Sequence, residues 1–297
     1  MTLAHNAFAA EVETASAAGR AEPAPDGTWA PGAPEAPDAA GLLRRLRPGP
    51  GAVRALRAGL RGLVAAVYPP RCLNCGAGTD ADFGLCPDCW RDTRFIAGLV
   101  CDSCGTPLPG EATGQPERCD DCLTLARPWA RGRAALVYGG TGRALVLALK
   151  HGDRTDIAAT AARWMWRAAA PLLRPDMVVA PVPLHRLRLL TRRYNQAALL
   201  SARVARLAGL PHCPDLLLRR RFTGSQDGRG RDARFAGVAG AIAAHPRRAG
   251  RIAGRPVLIV DDVMTSGATF AACAEACHAA GATQVAVLAL ARVAKDA

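Results

Sequence analysis

Cys72/Cys75, Cys86/Cys89, Cys101/Cys104 and Cys119/Cys122 form four C-x-x-C pairs inside one 51-residue stretch. Nothing else in the chain restricts its folding as much, because a segment this short has almost no core and must be held by cross-links or metal. Acidic Glu11 and Glu13 fall where a secretory signal would need an apolar run, so a cytoplasmic protein is expected. Thiols in that compartment bind metal rather than pair as disulfides. Two C-x-x-C pairs complete a tetrahedral site of four thiolates, so the eight cysteines predict two structural Zn2+ sites with no open position for catalysis. The unit also repeats, C-L-N-C-G to C-P-D-C-W and then C-D-S-C-G to C-D-D-C-L, with Cys101 standing 29 residues after Cys72. Gly76 and Gly105 supply the backbone freedom such knuckles want. Sequential pairing is the simplest arrangement, and spacing alone leaves an interleaved one open. Cys213, Cys273 and Cys277 lie outside the pattern, and the last two share a helix face that belongs in a core.

A second feature carries the chemistry. Val257-Leu-Ile-Val260 is apolar at every position and leads into Asp261 and Asp262, then Val263, Met264, Thr265, Ser266, Gly267, Ala268 and Thr269. A continuous apolar run suits a parallel strand buried on both faces. The paired carboxylates then sit at the strand end, where open α/β sheets bind ligands. The hydroxyl-rich bend can wrap an anion with backbone N–H groups, and the following helix adds its positive N-terminus. Carboxylates above and an anion cup below fit a phosphorylated sugar, with its hydroxyls on Asp261 and Asp262.

From Arg133 onward, apolar runs of strand length alternate with helical periods, including Ala134–Tyr138, Asp156–Leu173, Asp176–Pro181, Tyr194–Ala208 and Gln284–Ala289. That alternation predicts an α/β fold with a mostly parallel sheet. Residues 1–40 read as a disordered Ala/Pro/Glu/Gly tail, 41–70 as a basic amphipathic helical segment, 71–128 as the metal module and 133–297 as the α/β domain. The tail holds one Arg and six acids, so of the net +13 the remaining residues carry +18. A basic body suits phosphate-bearing partners, nucleotide or nucleic acid. Phe83, Trp90, Phe95 and Trp129, in and beside the metal module, offer rings that could stack bases or pack inward. No segment reaches the roughly 18 apolar residues of a membrane span.

The Asp-Asp-Val-Met-Thr-Ser-Gly-Ala-Thr run resembles the loop with which type I phosphoribosyltransferases bind phosphoribosyl diphosphate (PRPP). Asp176-Met-Val-Val-Ala-Pro-Val-Pro-Leu-His185 and Arg192-Arg-Tyr-Asn-Gln-Ala197 further resemble the ComF family of competence-associated proteins. The likeness runs from about Tyr68 to Val293 and implies a double zinc ribbon joined to a type I phosphoribosyltransferase-like sheet. It implies catalytic roles for Asp261 and Asp262 and Mg2+-PRPP contacts along Val263 to Thr269. It extends those contacts to Pro181, Val182, Pro183, Arg186, Lys150, Arg192, Arg193, Asn195 and Gln196, with Arg193 standing where the family element has Gly. Arg219-Arg-Arg-Phe-Thr-Gly-Ser-Gln226 and the following Gly/Arg stretch resemble a mobile lid. Two functions follow from the resemblance: phosphoribosyl transfer to an unidentified acceptor, or a non-catalytic single-stranded-DNA-binding accessory of DNA uptake with regulatory PRPP binding. DNA-uptake proteins are the further partners it implies.

Overall fold

The computed structural model describes residues 67–111, 114–151, 153–185, 194–221 and 230–294, with isolated positions before 67. The expected tail, most of the 41–70 helix, residues 222–229 of the lid stretch, and Arg186, Arg192 and Arg193 lie outside the described residues. The chain divides into Met1–Ala58 and Gly59–Ala297, and every element below belongs to the second unit.

Two short helices mark the ribbons: α1 (Pro87–Asp92) and α2 (Asp120–Thr124). Each is capped by the first cysteine of a second knuckle, Cys86 or Cys119. Matching backbone bridges, Arg71 to Gly78 and Val100 to Pro107, close the turn around each first knuckle. The repeat seen in the sequence is therefore a repeat of structure.

The α/β portion follows as β1 (Arg131–Val137), α3 (Gly140–His151), α4 (Ile157–Ala169) and β2 (Val178–Pro181). Next come α5 (Gln196–Ala208), β3 (Leu217–Arg219), α6 (Arg231–Val238) and β4 (Ile242–Ala244). The chain then runs through β5 (Pro256–Met264), α7 (Ala268–Ala279) and β6 (Gln284–Arg292). Four strands form one parallel sheet in the order β1-β6-β5-β2, and β3 and β4 make a separate antiparallel pair.

Val257 to Val260 are fully buried, as the uninterrupted apolar run requires, and each such side chain contributes about 1.5–3 kcal/mol. Their pleat divides them between two cores. Val257 and Ile259 join Val285, Val287 and Phe270 of α7 on one face. Leu258 and Val260 join Leu288, Leu290 and residues of α3, α4 and α5 on the other. An Asp at 259 would place an unpaired charge among apolar groups and unravel the sheet.

β5 runs four residues beyond the apolar run. Asp261 pairs with Ala289 and Met264 with Arg292, whereas β2 stops at the Pro181–Val260 pairing. The acid pair thus sits on a part of β5 that has β6 on one side and no β2 ladder partner on the other. Proline explains where β2 stops, because Pro181 and Pro183 cannot donate to a ladder. The sequence after the lid-like Gly/Arg stretch forms α6, and the short strand β4 escaped the sequence reading because three residues show no period.

Candidate functional site

The cysteines pair sequentially. Cys72, Cys75, Cys86 and Cys89 form one cluster and Cys101, Cys104, Cys119 and Cys122 the other, with ligand atoms of each within 4.8 Å of one another. In each, the glycine after the first knuckle is left-handed and its N–H donates back to the first cysteine, Gly76 to Cys72 at 3.0 Å and Gly105 to Cys101 at 2.8 Å. Four thiols facing one centre, with no other ligand type among the described residues, fit one structural zinc per cluster. Asn74 Nδ2 donates to Cys89 Sγ at 3.2 Å, an outer-shell contact of the kind that orients a metal ligand. At the second cluster, Arg292 Nη2 lies 3.7 Å from Cys104 Sγ.

The anion cup is built at the β5–α7 junction. Gly267 caps α7 at φ 85°, a conformation that glycine adopts without strain. A Cβ there would come within 2.9 Å of the Trp129 ring. No side chain caps the helix from that position, so the first-turn N–H groups face the bend. Ser266 Oγ lies 3.4 Å from the Ala268 N–H. A small concavity of about 30 Å3 is lined by Val263 to Phe270 and by Arg234 and Val238 of α6.

The two carboxylates differ. Asp262 is buried and its Oδ1 lies 3.1 Å from Lys150 Nζ. Asp261 is partly exposed and its Oδ1 accepts the Asp262 N–H at 2.8 Å. Asp261 keeps some surface, yet its carboxyl is enclosed by the surrounding protein; that desolvation, together with the Asp262 charge, pushes it up to about 7 against the pull of Lys150 and Arg219. Burial works against the Lys150 ammonium, but the charges of Asp262 and Asp261 outweigh it and raise its pKa. Lys150 therefore enters the site as the partner of an aspartate.

The Pro-Val-Pro and Tyr-Asn-Gln segments converge on the same region through backbone contacts. Pro181, Val182 and Pro183 are buried, and the Val182 N–H donates to Val260 at 2.9 Å. Asn195 caps α5 by accepting the Ala197 N–H and donates to the Val182 carbonyl at 3.1 Å. Gln196 Nε2 donates to the Lys150 carbonyl at 3.3 Å, and the Tyr194 hydroxyl to that of Leu149 at 2.7 Å. These side chains fix the end of α3, and with it Lys150, against the strand edge.

Three residues next to the bend were not assigned to it by the sequence. Arg127 Nη1 donates to the Ser266 carbonyl at 2.8 Å, Arg292 Nη1 to that of Thr265 at 2.7 Å, and Trp129 abuts Gly267. Of the two roles open to the Trp129 ring, stacking and packing, the structure gives it the second: it is 4% exposed and belongs to the core. Its one signal was its place just after the last knuckle. Arg292, ending a strand of buried apolar residues, was the stronger clue. Beside them a cleft of about 730 Å3 separates the second ribbon, at Arg118 and Asp120, from Thr265 and Ser266.

Residues 63–123 match the double zinc ribbon domain family. The DNA utilization protein YhgH of Escherichia coli K12 is 31% identical over 216 residues, spanning 71% of this chain and 91% of that protein. The chain belongs to the ComF/YhgH family. Competence protein F of Haemophilus influenzae, 27% identical over 229 residues, covers 75% of this ComF-family chain and is itself covered over 96% of its length. Among solved structures, an allosteric regulatory enzyme of purine biosynthesis is 20% identical with a TM-score of 0.32, over 46% of this chain and 26% of that one. A phosphoribosylpyrophosphate synthetase from Mycobacterium smegmatis is 16% identical with a TM-score of 0.26, over 47% and 34%. No described helix of this ComF-family protein is long and apolar enough to cross a membrane.

Proposed function

We propose that this protein binds Mg2+-PRPP at the β5–α7 junction and transfers the phosphoribosyl group to an acceptor in the context of DNA uptake. The observation that carries the proposal is the acid pair on an edge of β5 that β2 leaves open, directly before an amide-lined bend and a helix start. The 5-phosphate would sit against the Thr265–Thr269 bend, and Asp261 and Asp262 would hold the ribose hydroxyls. Lys150 and the basic segment holding Arg186, Arg192 and Arg193 would meet the diphosphate. In the reaction the bond from the anomeric carbon to the diphosphate oxygen breaks, a bond to the acceptor forms, and diphosphate leaves. Magnesium bound with the diphosphate would stabilise the charge growing on that leaving group.

Titration calorimetry with magnesium and PRPP should show binding to the native protein that disappears in Asp261→Asn/Asp262→Asn. With the Asp261 carboxyl near 7, it gains a proton as pH falls through that value, so affinity should drop between pH 8 and pH 6. Absence of binding by the native protein at pH 8 sinks the proposal. Diphosphate release against a panel of bases and amines then identifies the acceptor.

A second reading is a DNA-handling accessory that uses PRPP only as a regulator. It is favoured by the names of the relatives, a DNA utilization protein and a competence protein, and by the exposed Trp90 and Leu123 on the ribbons. It requires single-stranded oligonucleotide binding whose affinity falls steeply with salt. No binding at about 50 mM salt removes it.

A further inference from the structure

We propose that the second zinc cluster shapes the anion cup, with Arg292, Arg127 and Trp129 as positioning residues, so that zinc in this cluster and not in the first governs phosphate binding. The inference rests on the reading of the bend as a phosphate site, while its structural half stands on contacts alone.

Arg292 lies 4% exposed between the cluster and the bend. Its Nη2 is 3.7 Å from Cys104 Sγ, and its Nη1 donates to the carbonyls of Met264 at 3.2 Å, Thr265 at 2.7 Å and Val293. Its Nε is buried with no partner among the described residues. These oxygen acceptors are neutral carbonyls, so the charge of the guanidinium needs compensation from elsewhere. Four thiolates around one Zn2+ carry a net charge of −2 by formal count. That fixed dianion, touching the guanidinium through Cys104, is the counter-charge that lets Arg292 stay buried.

The second arm runs through the knuckle backbone. Trp129 Nε1 donates at 2.6 Å to the carbonyl of Ser103, which stands between ligands Cys101 and Cys104. Its ring edge then presses on Gly267, while Arg127, 5.4 Å over the ring, donates to the Ser266 carbonyl. Three successive carbonyls, of Met264, Thr265 and Ser266, are therefore drawn toward guanidinium groups on the ribbon side. In a planar trans peptide the C=O and the next N–H point in opposite directions. Holding those carbonyls turns the N–H groups of Thr265, Ser266 and Gly267 away from the ribbon, into the cup. Loss of the dianion and of the Ser103 anchor would free the peptides to rotate, and the cup would lose its donors. The first ribbon is docked elsewhere. It meets α3 and α4, through Asp92 to Thr141 and Phe83 to Thr160.

The test compares Cys119→Ser with Cys75→Ser, measuring zinc per chain, hydrogen exchange of the 264–268 amides, and ribose 5-phosphate binding. Each variant should lose one of two zinc ions. Exchange in the bend should rise about tenfold or more in Cys119→Ser and stay within about twofold of native in Cys75→Ser. Ribose 5-phosphate affinity should fall in parallel with bend protection. Should Cys119→Ser fail to fold, Arg292→Lys, which keeps the charge but loses the fork, must retain both zinc ions yet still speed exchange in the bend. Native exchange in Arg292→Lys, or equal acceleration by Cys75→Ser, overturns the proposal. Failure of the native protein to bind ribose 5-phosphate, with the exchange pattern intact, removes the phosphate reading and leaves the coupling standing.

Discussion

The first ribbon keeps its thiols out of the core: Cys72, Cys86 and Cys89 form their own small cluster with Leu85, and Cys75 is exposed, while Leu73 between the ligands enters the core beside α3 and α4. In the second, Cys101 and Cys104 are fully buried and share one apolar cluster with Trp129, Phe270, Val257 and Ile259. Two copies of one knuckle pattern have thus been put to different structural uses. One is a clasp on the helices α3 and α4, joined to them by polar contacts, by Leu73 and by Phe95, whose ring meets that of Trp164 at 5.3 Å. The other is part of the core beneath α7. The lesson is that a metal knuckle is self-sufficient as a local fold, so its neighbours decide whether it also organises anything else.

The largest expected difference concerns global stability. A structural zinc contributes on the order of 10 kcal/mol to the fold it closes. Cys101→Ser should therefore lower the melting temperature of the α/β core by clearly more than Cys72→Ser does. Calorimetric scans of the two variants decide it, and equal losses would mean that the ribbons are not different in kind.

A smaller difference appears in acid, where the two docking aspartates report separately. Asp102, beside ligand Cys101, is bridged by Arg131 at 2.8 Å and Arg133 at 2.6 Å. Burial works against its carboxylate, but hydrogen bonds from both arginines outweigh it and keep its pKa below the usual range. Asp92 is lowered by the Thr141 hydroxyl and N–H, which it accepts at 2.7 and 2.6 Å. A depressed carboxyl pKa adds stability above the unfolded value, near 4, and that stability is lost as pH falls through the folded one. Asp102→Asn should thus lower the melting temperature at pH 7 and flatten its decline below about pH 4. Asp92→Asn should do the same by a smaller amount, because its partners carry no charge. A larger effect at Asp92 would reverse the assignment of the stronger dock to the second ribbon.

Much of the fold was legible. Most strands and helices from Arg131 to Arg292, α6 and β4 excepted, lie where apolar periods put them, because burial on two faces imposes a pattern no local signal contradicts. The ends moved: β5 continues through both aspartates to Met264, since ladder pairing with β6 is indifferent to side-chain polarity. The acid pair and the amide bend were legible as neighbours because they are contiguous in sequence. The Lys150–Asp262 ion pair was not, since 112 positions separate the two and only the packing of α3 beside β5 joins them. The sequence places Lys150 at the diphosphate and gives no sign of its pairing with Asp262.

By itself the sequence determined which cysteines could bind metal, that the body would be a parallel α/β sheet, and that an acid pair would precede a hydroxyl-rich turn at a helix start. Those are local or periodic properties, written in spacing and alternation. The tertiary structure alone decided that the quartets pair in chain order and that the second lies under the turn. It also decided that Arg292 and Arg127 take the carbonyls of the turn. Such contacts join residues more than a hundred positions apart in two cases and 27 in the third. Nothing in one segment encodes its distance to another, and only the packed chain, with every buried charge required to find a partner, fixes it.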